Sequence, residues 1–296
     1  MAEEVPRDEL VARLIGGRTQ ADPRERLRAI VDGWRQEVGQ DRLPIDVVGL
    51  ASVRGIRVMP VDAPGWDGRV YVDEAGRVTV DVDGRQAPVR QRFTVAHELL
   101  HTAFPGFRRE RRYRVDDDLE LALFSRSRAE EEQLCDWGAS LLLMPDELTW
   151  SYRTDQGLRA VERLARDAKV SLEAAGLRLV ERSAKPAAFL VAGSTDGGLR
   201  VRYARVREAR VFVPRGAEIA AGSVLSRAAG SGRRERGVEP LPGRSSRRFH
   251  VEAKSYPTGR GAGARERVLA LAWPSSGAEE AGAVGDRIAR ISSAQV

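Results

Sequence analysis

The stretch Arg92-Phe-Thr-Val-Ala-His-Glu-Leu-Leu-His101 carries two of the chain's three histidines, His97 and His101, with Glu98 between them. In an α-helix, side chains four residues apart lie on one face, so both imidazoles reach the same point beside the helix. A divalent cation binds neutral imidazole nitrogens at about 2.0–2.1 Å. The spacing therefore predicts a metal site on a helix. The alternative is a surface helix that carries two histidines by chance, which we disfavour in a chain so poor in histidine.

Glu98 flanks the same point and is placed to take a proton from a water molecule there. The pattern His-Glu-x-x-His on a helix is that of zinc peptidases, in which the glutamate acts as the general base. We interpret Glu98 as a catalytic carboxylate and zinc as the default metal. Manganese or another divalent metal also suits a site of this composition.

A third protein ligand is needed, because a catalytic zinc ion has three protein ligands and a water molecule. His250 is a poor candidate, since it lies about 150 residues further along the chain, in another predicted domain. The acidic segment Ala129-Glu-Glu-Glu-Gln-Leu-Cys-Asp136 offers a better one. Glu132 and Asp136 are four residues apart and share a helix face. On a helix packed against the metal helix, Glu132 binds the metal and Asp136 accepts a hydrogen bond from the far nitrogen of a ligand histidine.

The alternative for Glu132 is one more exposed charge in an acidic run. Three neighbouring residues argue that its helix is partly buried: Leu134, Trp137 and Ala139. Burying two carboxylates without a compensating cation is costly, so we favour the ligand interpretation. We expect Glu130 and Glu131 to point to other faces and to be solvated.

The composition predicts a cytoplasmic protein. No apolar run approaches the roughly 20 residues of a membrane span, and the first residues lack the apolar stretch of a secretory signal. The single cysteine, Cys135, excludes an internal disulfide framework and suits a reducing compartment. We interpret Cys135 as a small buried hydrophobe rather than a nucleophile or a ligand.

The hydrophobic pattern predicts an α+β protein of four parts. These are an N-terminal arm (1–22), a zinc metallopeptidase domain with the metal site (23–150), a helix-turn-helix-like helical segment (151–185) and a β-rich domain (186–296). The second part should contain helices that begin near Pro23 and Pro44, a hairpin of Arg69–Asp73 and Arg77–Val82, and a metal helix from about Val89 to Ala103. The charged residues 106–128 predict a loop or an insertion. Five short β-like runs follow in the last part: Ala188–Val191, Leu199–Tyr203, Arg210–Val213, Phe249–Glu252 and Val268–Trp273.

The net charge of +6 is concentrated in Arg227–Arg267, a segment rich in Gly, Ser, Arg and Pro. Such a segment is compatible with phosphate contacts to DNA or another nucleic acid. It is equally typical of a solvated loop in a protein with many arginines, and we favour the loop.

Taken together, Arg92–His101 and the later stretch Glu132-Gln-Leu-Cys-Asp-Trp-Gly-Ala-Ser-Leu-Leu-Leu-Met-Pro145 resemble the ImmA/IrrE family of cytoplasmic metallopeptidases. Members typically show R-F-T-[LV]-A-H-E-x-x-H and then E-x-x-[AC]-[ND]-x-[FW]-A-[AS]-x-L-L-M-P. The resemblance covers roughly residues 24–150. It implies a zincin-like, gluzincin-type domain with His97, His101 and Glu132 as metal ligands and Glu98 as the catalytic carboxylate. Two departures stand out: Leu100 replaces the usual Gly, and Gly138 replaces the usual Ala or Phe-Ala step.

The later segments resemble those of the radiation-response members, in which a helix-turn-helix-like module and a sensor-like domain follow the peptidase. The resemblance implies limited proteolysis of a repressor that carries its own helix-turn-helix. A regulatory zinc endopeptidase is therefore the leading hypothesis, with Arg77–Val82 as the sheet edge for an extended peptide. A second hypothesis is a DNA-binding regulator with a structural or silent metal site. A third makes the C-terminal domain a ligand-sensing or protein-docking module.

Overall fold

The computed structural model describes residues 22–63, 65–104, 107, 112–114, 126–208, 210–243, 247–258 and 265–275. These parts contain eight α-helices and two β-sheets, so the predicted α+β class is confirmed. The chain forms two compact units. Unit 1 comprises the chain up to Trp150 and Ala165–Ser171, and unit 2 comprises Ser151–Leu164 and the chain from Leu172. The predicted arm and the predicted insertion lie almost entirely outside the described residues, and the division into four parts stays a prediction.

Unit 1 combines a mixed four-stranded sheet with helices. Its sheet has the order β1-β3-β2-β4, in which β1 runs parallel to β3 while β2 runs antiparallel to both β3 and β4. The elements in chain order are α1 (Pro23–Glu37), α2 (Val47–Val53), β1 (Arg57–Val61), β2 (Gly68–Val72), β3 (Val78–Asp83), α3 (Pro88–His101), β4 (Arg112–Arg114), α4 (Arg126–Leu143) and α5 (Asp146–Thr149). A further helix, α6 (Leu158–Ala168), ends in this unit.

Local hydrogen bonds from aspartate side chains cap the starts of α1 and α2 in unit 1. The Asp22 carboxylate accepts from the Arg24 backbone N–H at 2.9 Å, and α1 begins at Pro23 as predicted. Asp46 accepts from the Gly49 N–H at 3.0 Å, so α2 begins at Val47 rather than near Pro44. The predicted hairpin is confirmed, because β2 and β3 pair in antiparallel register.

The strand β3 lies inside the sheet, which corrects the prediction that Arg77–Val82 forms an edge. It pairs with β1 on one side and β2 on the other, and all six of its residues are buried. Its polar residue Asp81 is covered by Arg69 from β2, with an ion pair of 2.7 Å. Among the described strands of this sheet, β1 and β4 form the edges.

The metal helix predicted from the first motif is α3, which packs against β2 and β3 on one side and against α4 on another. The α3–α4 contact is close because Gly138 on α4 has no side chain. A Cβ placed there would lie 2.9 Å from side-chain atoms of both Leu100 and Leu27. The large side chain of Leu100 on α3 thus faces Gly138 on α4, and these are the two positions at which the chain departs from the pattern that it resembles.

Unit 2 is built on a five-stranded antiparallel sheet of order β6-β5-β9-β8-β7. Its core includes Leu190, Phe249, Val251 and Leu225, which are all fully or almost fully buried. Gly176 permits a helix to lie directly on the ring of Phe189. The elements are a 3₁₀ turn (Thr154–Gln156), the first part of α6, α7 (Leu172–Glu181), β5 (Ala187–Thr195), β6 (Gly198–Arg207), α8 (Val224–Ser231), β7 (Glu235–Pro240), β8 (Arg248–Thr258) and β9 (Arg265–Pro274).

Four of the five predicted β-runs in this region are confirmed, as parts of β5, β6, β8 and β9. The fifth, Arg210–Val213, is wrong. Val211 and Val213 are indeed buried and Phe212 is exposed, which imitates a strand. The backbone nevertheless bonds locally, since the Val211 N–H donates to the carbonyl of Glu208.

The loop interpretation of Arg227–Arg267 is also wrong, because the described residues of this segment form the end of α8, all of β7 and β8 and the start of β9. Glu252 on β8 explains part of the arginine content. Its carboxylate is completely buried and pairs with Arg234 at 2.7 Å and Arg236 at 3.0 Å. No helix of the described chain combines the length and the apolar character that crossing a membrane requires.

The packing of Leu100 against Gly138 predicts how substitutions at Gly138 change the free energy of unfolding. We expect Gly138→Ala to lower the free energy of unfolding by about 1 kcal/mol, because overpacking costs about 1–3 kcal/mol and exceeds the gain in helix propensity of about 1 kcal/mol. In a Leu100→Ala background the same change should cost less, because only the close contact with Leu27 remains. Chemical denaturation of the full chain measures both effects.

The matched control is Gly33→Ala in α1, where a Cβ meets nothing within 4 Å. This substitution should stabilise the protein by up to about 1 kcal/mol. If Gly138→Ala proved as stabilising as Gly33→Ala, the close packing of Leu100 and Leu27 against Gly138 would be refuted.

Candidate metal centre

The helix α3 presents His97 and His101 on one face, one turn apart, and both side chains are 1% exposed. Their Nε2 atoms lie 3.2 Å from each other. The helix carries both rings toward α4, which is its main helical neighbour in unit 1. Two imidazole nitrogens thus converge on one buried point, as the i, i+4 spacing predicts.

Glu132 on α4 completes this group. One carboxylate oxygen, Oε2, lies 3.0 Å from His97 Nε2, and the other, Oε1, lies 3.5 Å from His101 Nε2. Ligand atoms about 2 Å from a tetrahedral cation are roughly 3.3 Å from one another, which matches these separations. The structure therefore brings together the three residues proposed from the sequence in a donor set and spacing that fit a divalent metal.

The Nδ1 atoms of the two rings point away from this group and each faces a carboxylate. Asp136 Oδ1 lies 2.9 Å from His97 Nδ1, in the position expected from the sequence. Glu131 Oε1 lies 2.9 Å from His101 Nδ1. The expectation that Glu131 is solvated is wrong, since this residue is 7% exposed. Adjacent residues on a helix point about 100° apart, so Glu131 and Glu132 reach opposite sides of the His101 ring.

Cys135 is completely buried, as expected for a small hydrophobe, but it also contacts the centre. Its Sγ lies 3.4 Å from His101 Nδ1, and together with Glu131 it forms a second close group on that side of the ring. Burial raises the pKa of the Cys135 thiol. We therefore treat this side chain as a neutral thiol.

Glu132 is held as a carboxylate. Its partial burial alone would raise its pKa, but hydrogen bonds with His101 and His97 outweigh burial and lower the pKa well below its ordinary value. An anionic oxygen pair beside two imidazoles is the electrostatic arrangement that a divalent cation requires.

Glu98 is completely buried beside α3's neighbouring strand β2. The close approach of the Glu98 side chain to β2 depends on Gly68. A Cβ at this position would lie 2.3 Å from Thr94 Cγ2 and 3.2 Å from Glu98 Oε1. Sequence reasoning missed Gly68. A glycine inside a strand pattern often marks a place where another group comes close to the backbone, and that signal was available.

His250, the rejected third ligand, lies on β8 of unit 2 and stacks on Trp273 with a centroid distance of 5.8 Å. Within the part of the chain that the structure describes, it joins no cluster of potential metal ligands.

The sequence of this chain is similar to those of known proteins over part of its length. Residues 51–180 match the Peptidase_M78 family, described as the IrrE N-terminal-like domain. The chain is 39% identical over 117 residues to a radiation response metalloprotease IrrE of Deinococcus deserti, a match that covers 37% of this chain and 38% of that protein. It is 27% identical over 236 residues to the IrrE of Deinococcus radiodurans, which covers 71% of this chain and 68% of that protein.

A solved structure of a Mycobacterium tuberculosis transcriptional regulator has the same fold over much of its length. The TM-score is 0.59, the identity is 19%, and the match covers 84% of this chain and 76% of that one. At this identity the likeness concerns the fold alone.

The geometry of the candidate metal centre predicts the effect of removing Glu132, its candidate carboxylate ligand. We expect Glu132→Ala to lose most of its bound zinc, because only two protein ligands remain. Metal content per chain, measured by elemental analysis after loading with Zn²⁺ and desalting, tests this. The control is Gln133→Ala at the exposed next position of α4, which should keep about one zinc per chain. Full zinc retention by the Glu132 variant would contradict the assignment.

Proposed function

We propose that the chain, whose residues 51–180 match the IrrE N-terminal-like domain, is a regulatory zinc-dependent endopeptidase of the ImmA/IrrE family. One observation carries the proposal: two imidazole nitrogens and a carboxylate converge within 4.8 Å, with the Glu98 side chain one residue along the same helix. This is the donor set of a His₂Glu catalytic zinc site.

In this proposal His97, His101 and Glu132 hold the metal, and Zn²⁺ is the default occupant, with Mn²⁺ as an alternative. When bound, the metal supplies a Lewis acid that acidifies water and polarises the scissile carbonyl. Glu98 takes the proton of the attacking water and later delivers it to the leaving amine. The buried surroundings of Glu98 favour this role, because exclusion of bulk water strengthens electrostatic interactions at the reacting atoms.

An extended peptide substrate adds to a sheet only at an edge strand, because interior strands have their backbone groups paired. The edge nearer to Glu98 is β4. In the sheet Arg114 pairs with Gly68, and Gly68 is the residue of β2 that faces the Glu98 carboxylate. We therefore assign the peptide to β4, in place of the interior strand β3.

The substrate we propose is a transcriptional repressor that carries a helix-turn-helix, cleaved in the cytoplasm to induce a stress or mobile-element response. Support comes from the family resemblance of the two motifs and from the name of the Deinococcus relatives, which are radiation response metalloproteases. Incubation of the purified zinc- or manganese-loaded protein with the helix-turn-helix repressors encoded in its own genome tests this assignment. Specific cleavage of one of them would support it.

Glu98→Gln provides the direct test of catalysis. This variant should keep the metal, since Glu98 is not a ligand, but should lose cleavage by a factor of about 10²–10⁴, the usual contribution of a general base. Metal content and the rate of substrate cleavage are measured on the same preparation. Glu74→Gln, in the exposed turn between β2 and β3, is the control and should cleave at the normal rate. Normal cleavage by Glu98→Gln would refute its role as base.

The alternative function, a DNA-binding regulator, receives little support from the helix pair. The helix α7, in the position of a recognition helix, packs against β5 and β6, and five of its ten residues are buried: Ala175, Gly176, Arg178, Leu179 and Val180. A recognition helix instead presents side chains to base edges. The helix α7 thus contributes buried side chains to unit 2.

We accordingly expect weak DNA binding without sequence preference. Fluorescence anisotropy with duplex DNA at increasing salt measures it. Tight binding with a steep salt dependence, unchanged in Glu98→Gln, would favour the DNA-binding alternative.

A further inference from the structure

Both histidines of the centre direct Nε2 toward Glu132, so the opposite nitrogen of each ring needs an acceptor for its N–H. Such acceptors hold the ring orientation and keep the ligand nitrogen free of its proton. The acceptor for His97 is Asp136. For His101 two side chains compete, since Glu131 and Cys135 both contact Nδ1.

Distance and chemistry favour the carboxylate. Glu131 Oε1 lies 2.9 Å from His101 Nδ1, whereas the Cys135 sulfur lies at 3.4 Å. A carboxylate accepts a strong charge-assisted hydrogen bond, whereas a thiol is a weak acceptor. A buried carboxylate also requires such a partner, because burial without one is costly.

We propose that Glu131 is a positioning residue for the metal centre: it accepts the Nδ1–H of His101 and so aims Nε2 of that ring at the cation. This inference rests on the proposed function, because it assumes that His97, His101 and Glu132 bind a metal. Neither the family pattern nor the spacing of Glu132 and Asp136 assigns a role to this position.

The two outer carboxylates differ in their surroundings. The Asp136 side chain is 53% exposed, whereas that of Glu131 is 9% exposed. When Asp136 is removed, a water molecule can take its place at His97. Water cannot easily reach the Nδ1 side of His101, where Cys135 is completely buried. Glu131 should therefore matter more for metal affinity than Asp136, although Asp136 is the carboxylate found from the sequence.

The test is the affinity of the full chain for Zn²⁺, measured by competition with a chromophoric chelator. Glu131→Ala should weaken Zn²⁺ binding about 10- to 100-fold, which is the usual effect of replacing a residue that hydrogen-bonds a metal ligand. The loss should be larger than that caused by Asp136→Ala. Glu131→Gln should keep part of the affinity, because its amide oxygen can still accept. Glu130→Ala, at the preceding and partly exposed position of α4, is the matched control and should bind as the unsubstituted chain.

A second readout separates positioning from folding. The visible absorption spectrum of the Co²⁺-loaded protein reports ligand geometry at the cation, and it should change in Glu131→Ala but not in Glu130→Ala. Unfolding midpoints of the metal-free variants show whether the fold is kept. A Glu131→Ala protein that folds normally and has unchanged Zn²⁺ affinity and Co²⁺ spectrum would overturn the proposal.

Cys135→Ala decides between the two neighbours of Nδ1. It should keep Zn²⁺ affinity to within about threefold; a loss as large as that of Glu131→Ala would transfer the role to the thiol and overturn the assignment. Failure of the proposed function looks different. In that case the unsubstituted chain binds no stoichiometric Zn²⁺, or Glu132→Ala binds it normally.

Discussion

The close crossing of α4 over α3 is the contact on which the candidate site depends. It places two imidazoles and the carboxylates of Glu131 and Glu132 in a region with little access to solvent. Burial of so many ionisable groups is unfavourable unless each has a partner. Here the Nε2 atoms face Glu132, and the Nδ1 atoms face Glu131 and Asp136. A divalent cation at the common point would offset two of the three negative charges of these carboxylates. The same contacts that hold the helices together thus orient the candidate ligands.

Two glycines allow the elements around α3 to pack this closely. Gly138 lets α4 approach Leu100 on α3, and Gly68 lets β2 approach Thr94 and Glu98 on the other side of the same helix. The metal helix is therefore enclosed between a helix and a strand that both lack a side chain at the point of contact. Because interiors are packed as densely as crystals, an added methyl group at either position must displace a neighbour. Glycine is here a condition for the spacing of the functional groups rather than a source of backbone freedom.

Unit 2 shows how charge is used structurally in this chain. Glu252 is completely buried and pairs with Arg234 and Arg236, while Glu162 accepts from Arg234 and from the Tyr256 hydroxyl at 2.7 Å. These arginines belong to the segment whose composition resembled a solvated loop or a nucleic-acid contact. Their guanidinium groups are engaged within the unit, which reduces the number of arginines left to bind phosphate. Composition alone is therefore a poor guide to an acidic partner for this protein.

Periodicity within one segment was sufficient to find much of the site. His97 and His101 follow from the i, i+4 rule on one helix, and Glu132 with Asp136 from the same rule on another; the β2–β3 hairpin and the α+β class follow from alternation. Three features depended on the tertiary structure: the inward position of Glu131, the interior place of β3 and the strands formed by the arginine-rich segment. Each is decided by contacts between residues distant in sequence. A helical period states which residues share a face, but only packing decides which faces are buried and what they meet.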